Sequence, residues 1–143
     1  MKIVIASDHR ALLKKDLVCK YVRSLGYEIE DLGPYTDESA DYPVYAKKVC
    51  DKITKNNVDL GILFCGTGIG MSIAANKFKG IRCGKVNTVE EAKLIRLHNN
   101  SNVIALSSKT SNYKVKRIIK AFIETSFSNE KRHVRRVEML END

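Results

Sequence analysis

Short β-rich runs alternate with helical repeats along the whole chain, and this alternation limits the fold more than any other feature of the sequence. KIVIAS (2–7) is a buried strand in character. From 11 to 25, Leu13, Leu17, Val18, Tyr21, Val22 and Leu25 recur at helical spacing, and Gly26 stands where a helix C-cap belongs. YEIEDLG (27–33) predicts a second strand, followed by a polar loop from Pro34 to Asp41. A helix over 42–57 tolerates Pro43 in its first turn. DLGILFC (59–65) predicts a central buried strand, GTGIG leads into a short helix near MSIAANK, and IRCGKV (81–86) predicts a fourth strand. Thr88 caps a helix running to about His98, NVIAL (102–106) is a fifth strand, and helices over 112–126 and 129–141 close the chain.

Strand after helix throughout implies an α/β fold, a three-layer α/β/α sandwich around a mostly parallel, five-stranded, Rossmann-like sheet. No linker or repeat divides the 143 residues, so one domain is expected, closed by the C-terminal helix (129–141). Ligands of such sheets bind beyond the carboxyl ends of the strands, where the strand order reverses. The loops after strands one, three, four and five are therefore the places to search.

The sharpest signal lies after strand three: Cys65-Gly66-Thr67-Gly68-Ile69-Gly70-Met71-Ser72. Alternating glycines allow a tight turn that presents several N–H donors to an anion, and the next helix adds its positive end. No Lys-Ser/Thr pair follows, so this is not a Walker A loop, and the G-x-G-x-G spacing after a third strand does not match the dinucleotide fingerprint. Cys65 stands beside these donors, where a thiolate can act as nucleophile or base, although a strand-end cysteine can also be inert. After strand one, Asp8 and His9 could bind a sugar hydroxyl and an anion, or Asp8 could simply cap the next helix. His98, before Asn99, could shuttle protons or merely complement a helix C-terminus. Arg132 and Arg136 are four apart and share a helix face, suited either to a phosphate dianion or to a solvated basic stripe.

Several classes fall away. No apolar run is long enough to span a bilayer, and MKIVIASDHR looks like a first strand and its exit loop rather than a signal peptide. Cys19, Cys50, Cys65 and Cys83 form no C-x-x-C pair, which removes zinc-ribbon and redox motifs and fits reduced thiols in the cytoplasm. The formal net charge of +8 is compatible with nucleic-acid binding, anion capture or a lysine-rich surface, and only KRHVRR (131–136) concentrates it. The six tyrosines and four phenylalanines are scattered rather than gathered into a stacking platform, which argues against nucleic acid.

Together these segments resemble the ribose-5-phosphate isomerase B family, which also includes the galactose-6-phosphate isomerase subunits. The resemblance runs from Met1 to about Val137 and rests on SDH at 7–9, DYP at 41–43, CGTGIGMSIAANK at 65–77, GIR at 80–82, HN at 98–99, NVIAL at 102–106 and RHVRRV at 132–137. It implies an aldose–ketose isomerase acting through an enediolate, with no metal or organic cofactor. It also implies a homodimer, with pairing into tetramers left open, whose sites lie between subunits. One subunit would supply Asp8, His9 and the loop from Cys65 to Gly70, and its partner His98, Asn99, Arg132 and Arg136. Cys65 would be the base and His98 the ring-opening group. Thr67 and the N–H groups of Gly66, Thr67, Gly68, Ile69 and Gly70 would hold the enediolate charge. Asp8 would bind hydroxyls, and His9, Arg132 and Arg136 the phosphate.

Three stretches depart from the family pattern. Arg10-Ala11 replace Ala-Gly after SDH, which could alter the first helical turn and add positive charge beside the site. Val86-Asn87-Thr88 replace a Cys/His/Asp-type stretch, which keeps a six-carbon substrate such as galactose or allose 6-phosphate open. Ser107-Ser108-Lys109 replace Gly-Ala-Arg, so Lys109 would keep a phosphate-binding charge without the bidentate fork. A basic binding module without catalysis is the remaining alternative.

Overall fold

The computed structural model of the chain describes residues 1–142. Five strands, β1 (Lys2–Ser7), β2 (Glu28–Asp31), β3 (Leu60–Cys65), β4 (Cys83–Lys85) and β5 (Val103–Ser107), form one sheet in the order β2-β1-β3-β5-β4. Every strand pair is parallel, where the alternation predicted a mostly parallel sheet. The helices are α1 (Leu12–Ser24), α2 (Tyr42–Lys55), α3 (Ile69–Ala75), α4 (Val89–Asn99), α5 (Asn112–Glu124) and α6 (Lys131–Glu141).

Strand periodicity divides the core into two layers. Ile3, Ile5, Ile62, Phe64, Ile104 and Leu106 face one side, where they pack with Val18 and Val22 of α1, Ala92 of α4 and Ile118, Ile119 and Phe122 of α5. Val4, Ala6, Leu63, Cys65, Val103 and Ala105 face the other, against Ala46, Val49 and Cys50 of α2 and Met71 and Ala75 of α3. The sheet is thus covered on both faces, and its three central strands carry the near-continuous apolar runs that such burial requires. The order reverses between β1 and β3, so the loops leaving these two strands part to opposite faces and open a crevice at their carboxyl ends.

Element boundaries shift where side chains or loops take over backbone bonding. The strand expected over 81–86 is confined to Cys83–Lys85, because the Ile81 N–H donates to Phe78 O (3.1 Å) and the Arg82 N–H to Asn102 Oδ1 (2.9 Å). Asn102, expected to begin the fifth strand, instead bridges this corner, its Nδ2 donating to Gly80 O at 2.8 Å. The strand expected over 27–33 pairs only as Glu28–Asp31. Gly26 ends α1 as expected, at φ +92°, a conformation that favours glycine.

Candidate active site

The loops leaving β1, β3 and β5 bring Asp8, His9, Cys65, Thr67 and Lys109 to the carboxyl edge of the sheet. After β1, Asp8 is 8% exposed and its Oδ1 accepts the Arg10 N–H at 2.9 Å. The capping role foreseen for Asp8 is therefore realised, in a short 3₁₀ turn (His9–Ala11) that precedes α1. Only one carboxylate oxygen is used, and Oδ2 makes no protein hydrogen bond among the described residues. Ala11 sits at φ −118°, ψ 25°, which an L-residue adopts without strain, so the glycine of the family pattern is dispensable here.

His9 is fixed from an unexpected direction. The Ala40 N–H, from the loop before α2, donates to His9 Nδ1 at 3.1 Å. In this arrangement Nδ1 supplies a lone pair and Nε2 is the nitrogen free to donate outward. The start of that loop is in turn anchored by Lys15 of α1, only 1% exposed, whose Nζ lies 2.9 Å from Asp31 Oδ1 and also donates to Pro34 O. Nothing in the local sequence marks Lys15 for this, since a lysine in an amphipathic helix ordinarily faces water.

At the end of β3, Cys65 is 5% exposed and its Sγ accepts the Gly68 N–H at 3.1 Å. Among the described residues it is the one cysteine whose sulfur receives a backbone donor. Burial pushes the other thiols up, Cys19 to about 11 and Cys50 and Cys83 to about 12, which keeps them protonated and unreactive at neutral pH. Gly68 reaches Cys65 by adopting φ +80°, and a β-carbon there would stand 3.0 Å from the Leu106 carbonyl carbon. Both the left-handed turn and the close approach of β5 thus require glycine. At Gly70 a β-carbon would meet the Tyr42 ring at 2.8 Å, so that glycine exists to seat an aromatic side chain.

The sequence foresaw five amide donors, from Gly66 to Gly70, facing one ligand. The structure commits two of them internally, Gly68 N–H to Cys65 and Ile69 N–H to Thr67 Oγ1 at 3.2 Å. The N–H groups of Gly66, Thr67 and Gly70 have no protein acceptor among the described residues. Because Thr67 Oγ1 accepts from Ile69, its own O–H remains available to donate.

The turn after β5 braces this loop. Ser107 Oγ donates to Gly66 O at 2.7 Å and accepts the Lys109 N–H at 3.1 Å, while the Ser108 N–H donates to Cys65 O at 2.9 Å. Lys109 is therefore held at the same edge as Cys65, with an exposed side chain. Val86-Asn87-Thr88 leave edge strand β4 at this edge too, separated from β3 by β5, and Thr88 caps α4 through the Glu91 N–H at 3.1 Å.

The remaining four predicted residues lie elsewhere. Helix α4 starts at the carboxyl edge and returns antiparallel to the strands, so over 11 residues it carries its C-terminus about 16 Å toward the amino edge. There Asn99 O accepts from Arg82 Nε at 3.0 Å, just ahead of β4. His98 stacks on His133 of α6, with ring centroids 4.4 Å apart. His133 is 5% exposed and its Nδ1 pairs with Ser128 Oγ at 2.8 Å, while burial, and next the neighbouring His98, lowers its pKa below the ordinary 6.5. Its position between two predicted arginines drew attention to them and hid its own part in placing His98. Arg132 and Arg136 are exposed, Arg132 with its Nε 3.2 Å from Glu130 Oε2. Within one chain, then, Cys65 and His98 occupy opposite edges of the sheet.

A cavity of about 550 Å³ lies at the β4 margin, among Phe78, Ile81, Arg82, Ile95, Asn99 and Leu140, well away from Cys65. Among the described residues no three His, Cys, Asp or Glu side chains gather into a metal-holding group.

The sequence profile of the Ribose/Galactose Isomerase family matches residues 3–140. A probable ribose-5-phosphate isomerase B from Mycoplasma genitalium is 42% identical over 142 residues, covering 96% of this chain and 92% of its own. The crystal structure of a ribose 5-phosphate isomerase from Thermotoga maritima superposes with a TM-score of 0.95 at 43% identity, covering 99% of this chain and 98% of the other. A Mycoplasma genitalium ribose-5-phosphate isomerase B solved with bound ribulose-5-phosphate gives 0.92 at 40% identity, covering 97% and 93%. By sequence and by fold along nearly its whole length, the chain belongs to the ribose/galactose isomerase family.

Proposed function

We propose that the protein interconverts ribose 5-phosphate and ribulose 5-phosphate by proton transfer through an enediolate. The observation that carries this is Cys65, held by the Gly68 N–H beside three unpaired amides in a chain whose relatives are ribose-5-phosphate isomerases. With the open-chain aldose bound, the Cys65 thiolate removes the proton from C2 and the electron pair moves to the carbonyl oxygen on C1. The amides of Gly66, Thr67 and Gly70 and the Thr67 hydroxyl receive that negative charge. Return of that proton from Cys65 to C1, with transfer of the C2-hydroxyl proton to the oxygen on C1, gives the ketose. Donors fixed before the reaction lose no reorganisation energy as charge develops, and each is commonly worth about 3–4 kcal/mol.

The cyclic aldose must open first, and His98 is the proton shuttle for the ring oxygen. Asp8 uses its second oxygen for sugar hydroxyls. His9 through Nε2, Lys109, Arg132 and Arg136 hold the phosphate, whose binding energy orients the reacting carbons. His98, Asn99, Arg132 and Arg136 cannot serve the Cys65 loop of their own chain, being at the other edge of its sheet. The reading therefore requires a second copy whose α4–α6 corner completes the pocket, in a homodimer of single-domain subunits with α6 at the interface. Working in the cytoplasm fits the reduced cysteines, and no described helix is long and apolar enough to cross a membrane.

Purified protein is expected to convert ribose 5-phosphate to ribulose 5-phosphate, and Cys65→Ala to lower kcat by roughly 10²–10⁴ while inorganic phosphate still inhibits competitively. Faster turnover of galactose or allose 6-phosphate than of ribose 5-phosphate would move the assignment to the six-carbon branch. Loss of phosphate binding in Cys65→Ala would place the cysteine in the wrong role.

A further inference from the structure

Arg10 departs from the family pattern, and the structure gives it a specific place. Gly66 directly follows Cys65, and a β-carbon built on Gly66 would stand 3.1 Å from Arg10 Nη1 and 3.8 Å from Arg10 Cδ. The arginine thus lies against the first residue of the loop while remaining exposed to water. Its starting point is fixed, because Asp8 holds the Arg10 N–H in the 3₁₀ turn after β1. Its guanidinium makes no hydrogen bond or ion pair to the protein among the described residues, although the side chain is exposed and an aspartate lies two positions away. A delocalised cation whose donors find no protein acceptor among the described residues therefore sits against Gly66, the residue that follows Cys65.

We propose that Arg10 is an additional catalytic residue, its guanidinium donating to the C1–C2 oxygens of the substrate as the enediolate gains charge. The assignment rests on the isomerase reading above and extends it. The planar fork can span two oxygens on adjacent carbons, a geometry that an ammonium group lacks. The phosphate already has four cationic or donor side chains assigned to it, whereas the reacting end has only amides and one hydroxyl. Solvent exposure screens the charge, so a moderate effect is expected rather than that of a buried oxyanion donor.

The test compares wild type with Arg10→Met, which keeps the stem over Gly66, and Arg10→Lys, which keeps the charge. Readouts are kcat and KM for ribose 5-phosphate and the competitive Ki of inorganic phosphate. Arg10→Met should lower kcat about tenfold, equivalent to about 1.4 kcal/mol, with the phosphate Ki unchanged. Arg10→Lys, which keeps the charge without the fork, should recover part of the loss. An unchanged kcat in Arg10→Met, a phosphate Ki that weakens in step with kcat/KM, or an Arg10→Lys variant as poor as Arg10→Met would each overturn the proposal. A wild type without ribose 5-phosphate turnover would count against the isomerase reading alone. The charge at the loop would then be read from Cys65 alkylation, as the rate with anionic iodoacetate divided by the rate with neutral iodoacetamide. A ratio several-fold lower in Arg10→Met supports a cation facing the loop, and an unchanged ratio removes it.

Discussion

The carboxyl edge of the sheet and the corner where α4 meets α6 are built on opposite plans. At the carboxyl edge the centre of the site is made of backbone amides and the buried Cys65 and Asp8, with the exposed Lys109 and Arg10 at its margin. Gly68 is pressed onto β5, Gly66 O is held by Ser107, and Asp8 caps its own turn. At the α4–α6 corner the candidate groups are long or exposed side chains on helix surfaces, and the buried His133 packs against His98. One region is preorganised and needs a ligand with little charge of its own at the reacting carbons. The other offers exposed guanidiniums, Arg132 beside Glu130 and Arg136 with no ion pair among the described residues. Under the proposed function, proton abstraction by Cys65 belongs to the rigid edge, while His98 and the two arginines of the exposed corner would come from a second copy, the arginines sharing phosphate capture with His9 and Lys109.

The largest way to break this comparison, after loss of Cys65 itself, is Gly68→Ala. Strain at φ +80° together with the contact on Leu106 should cost about 1–3 kcal/mol of stability. The backbone shift that relieves this strain moves the residue-68 N–H away from Cys65 Sγ, so kcat should fall along with Tm. A Gly68→Ala protein of unchanged Tm and kcat would show that the loop is not preorganised. The corner should answer differently. Arg132→Ala or Arg136→Ala should leave Tm unchanged and raise KM about tenfold, as expected for loss of one charge-assisted hydrogen bond worth about 1.5–3 kcal/mol. Lys109→Ala should act in the same sense but only a few-fold, because a point charge contributes less than a bidentate fork. A fall in kcat with constant KM in these variants would reject their phosphate role.

The smallest effect concerns pH. Burial holds the folded pKa of His133 below the ordinary 6.5, so folding favours its neutral form. Its contribution to stability is complete above that value and is lost as pH falls through the lowered pKa of the folded state. Thermal melts between pH 7 and pH 5 should therefore lose less Tm for His133→Gln than for wild type. Parallel pH curves for the two proteins would dissociate His133 from acid sensitivity at the corner.

The architecture was legible because its signals are local: buried strands with alternating faces, Gly26 after a helical repeat, Thr88 before one. The glycine loop was legible for the same reason, since a tight anion-binding turn leaves its mark within eight consecutive residues. What escaped were contacts made between segments distant in sequence. Lys15 looks like any helix-surface lysine until Asp31 and Pro34 close over it. His133 gains meaning only from His98, and the Ala40 amide only from His9. Strand ends were misjudged where one polar side chain, Asn102, replaced ladder bonds with its own. The separation of Cys65 from His98 across the sheet is likewise a property of topology, which composition and spacing do not encode.

Mixing two inactive variants tests the shared site most directly. Cys65→Ala and His98→Asn subunits, unfolded together and refolded at equal amounts, should regain about a quarter of wild-type ribose 5-phosphate turnover. Half of randomly paired dimers would then be mixed, and each mixed dimer would carry one intact site of two. Recovery to that level would place Cys65 and His98 from different copies in one pocket. A mixture no more active than the two variants alone would contradict it.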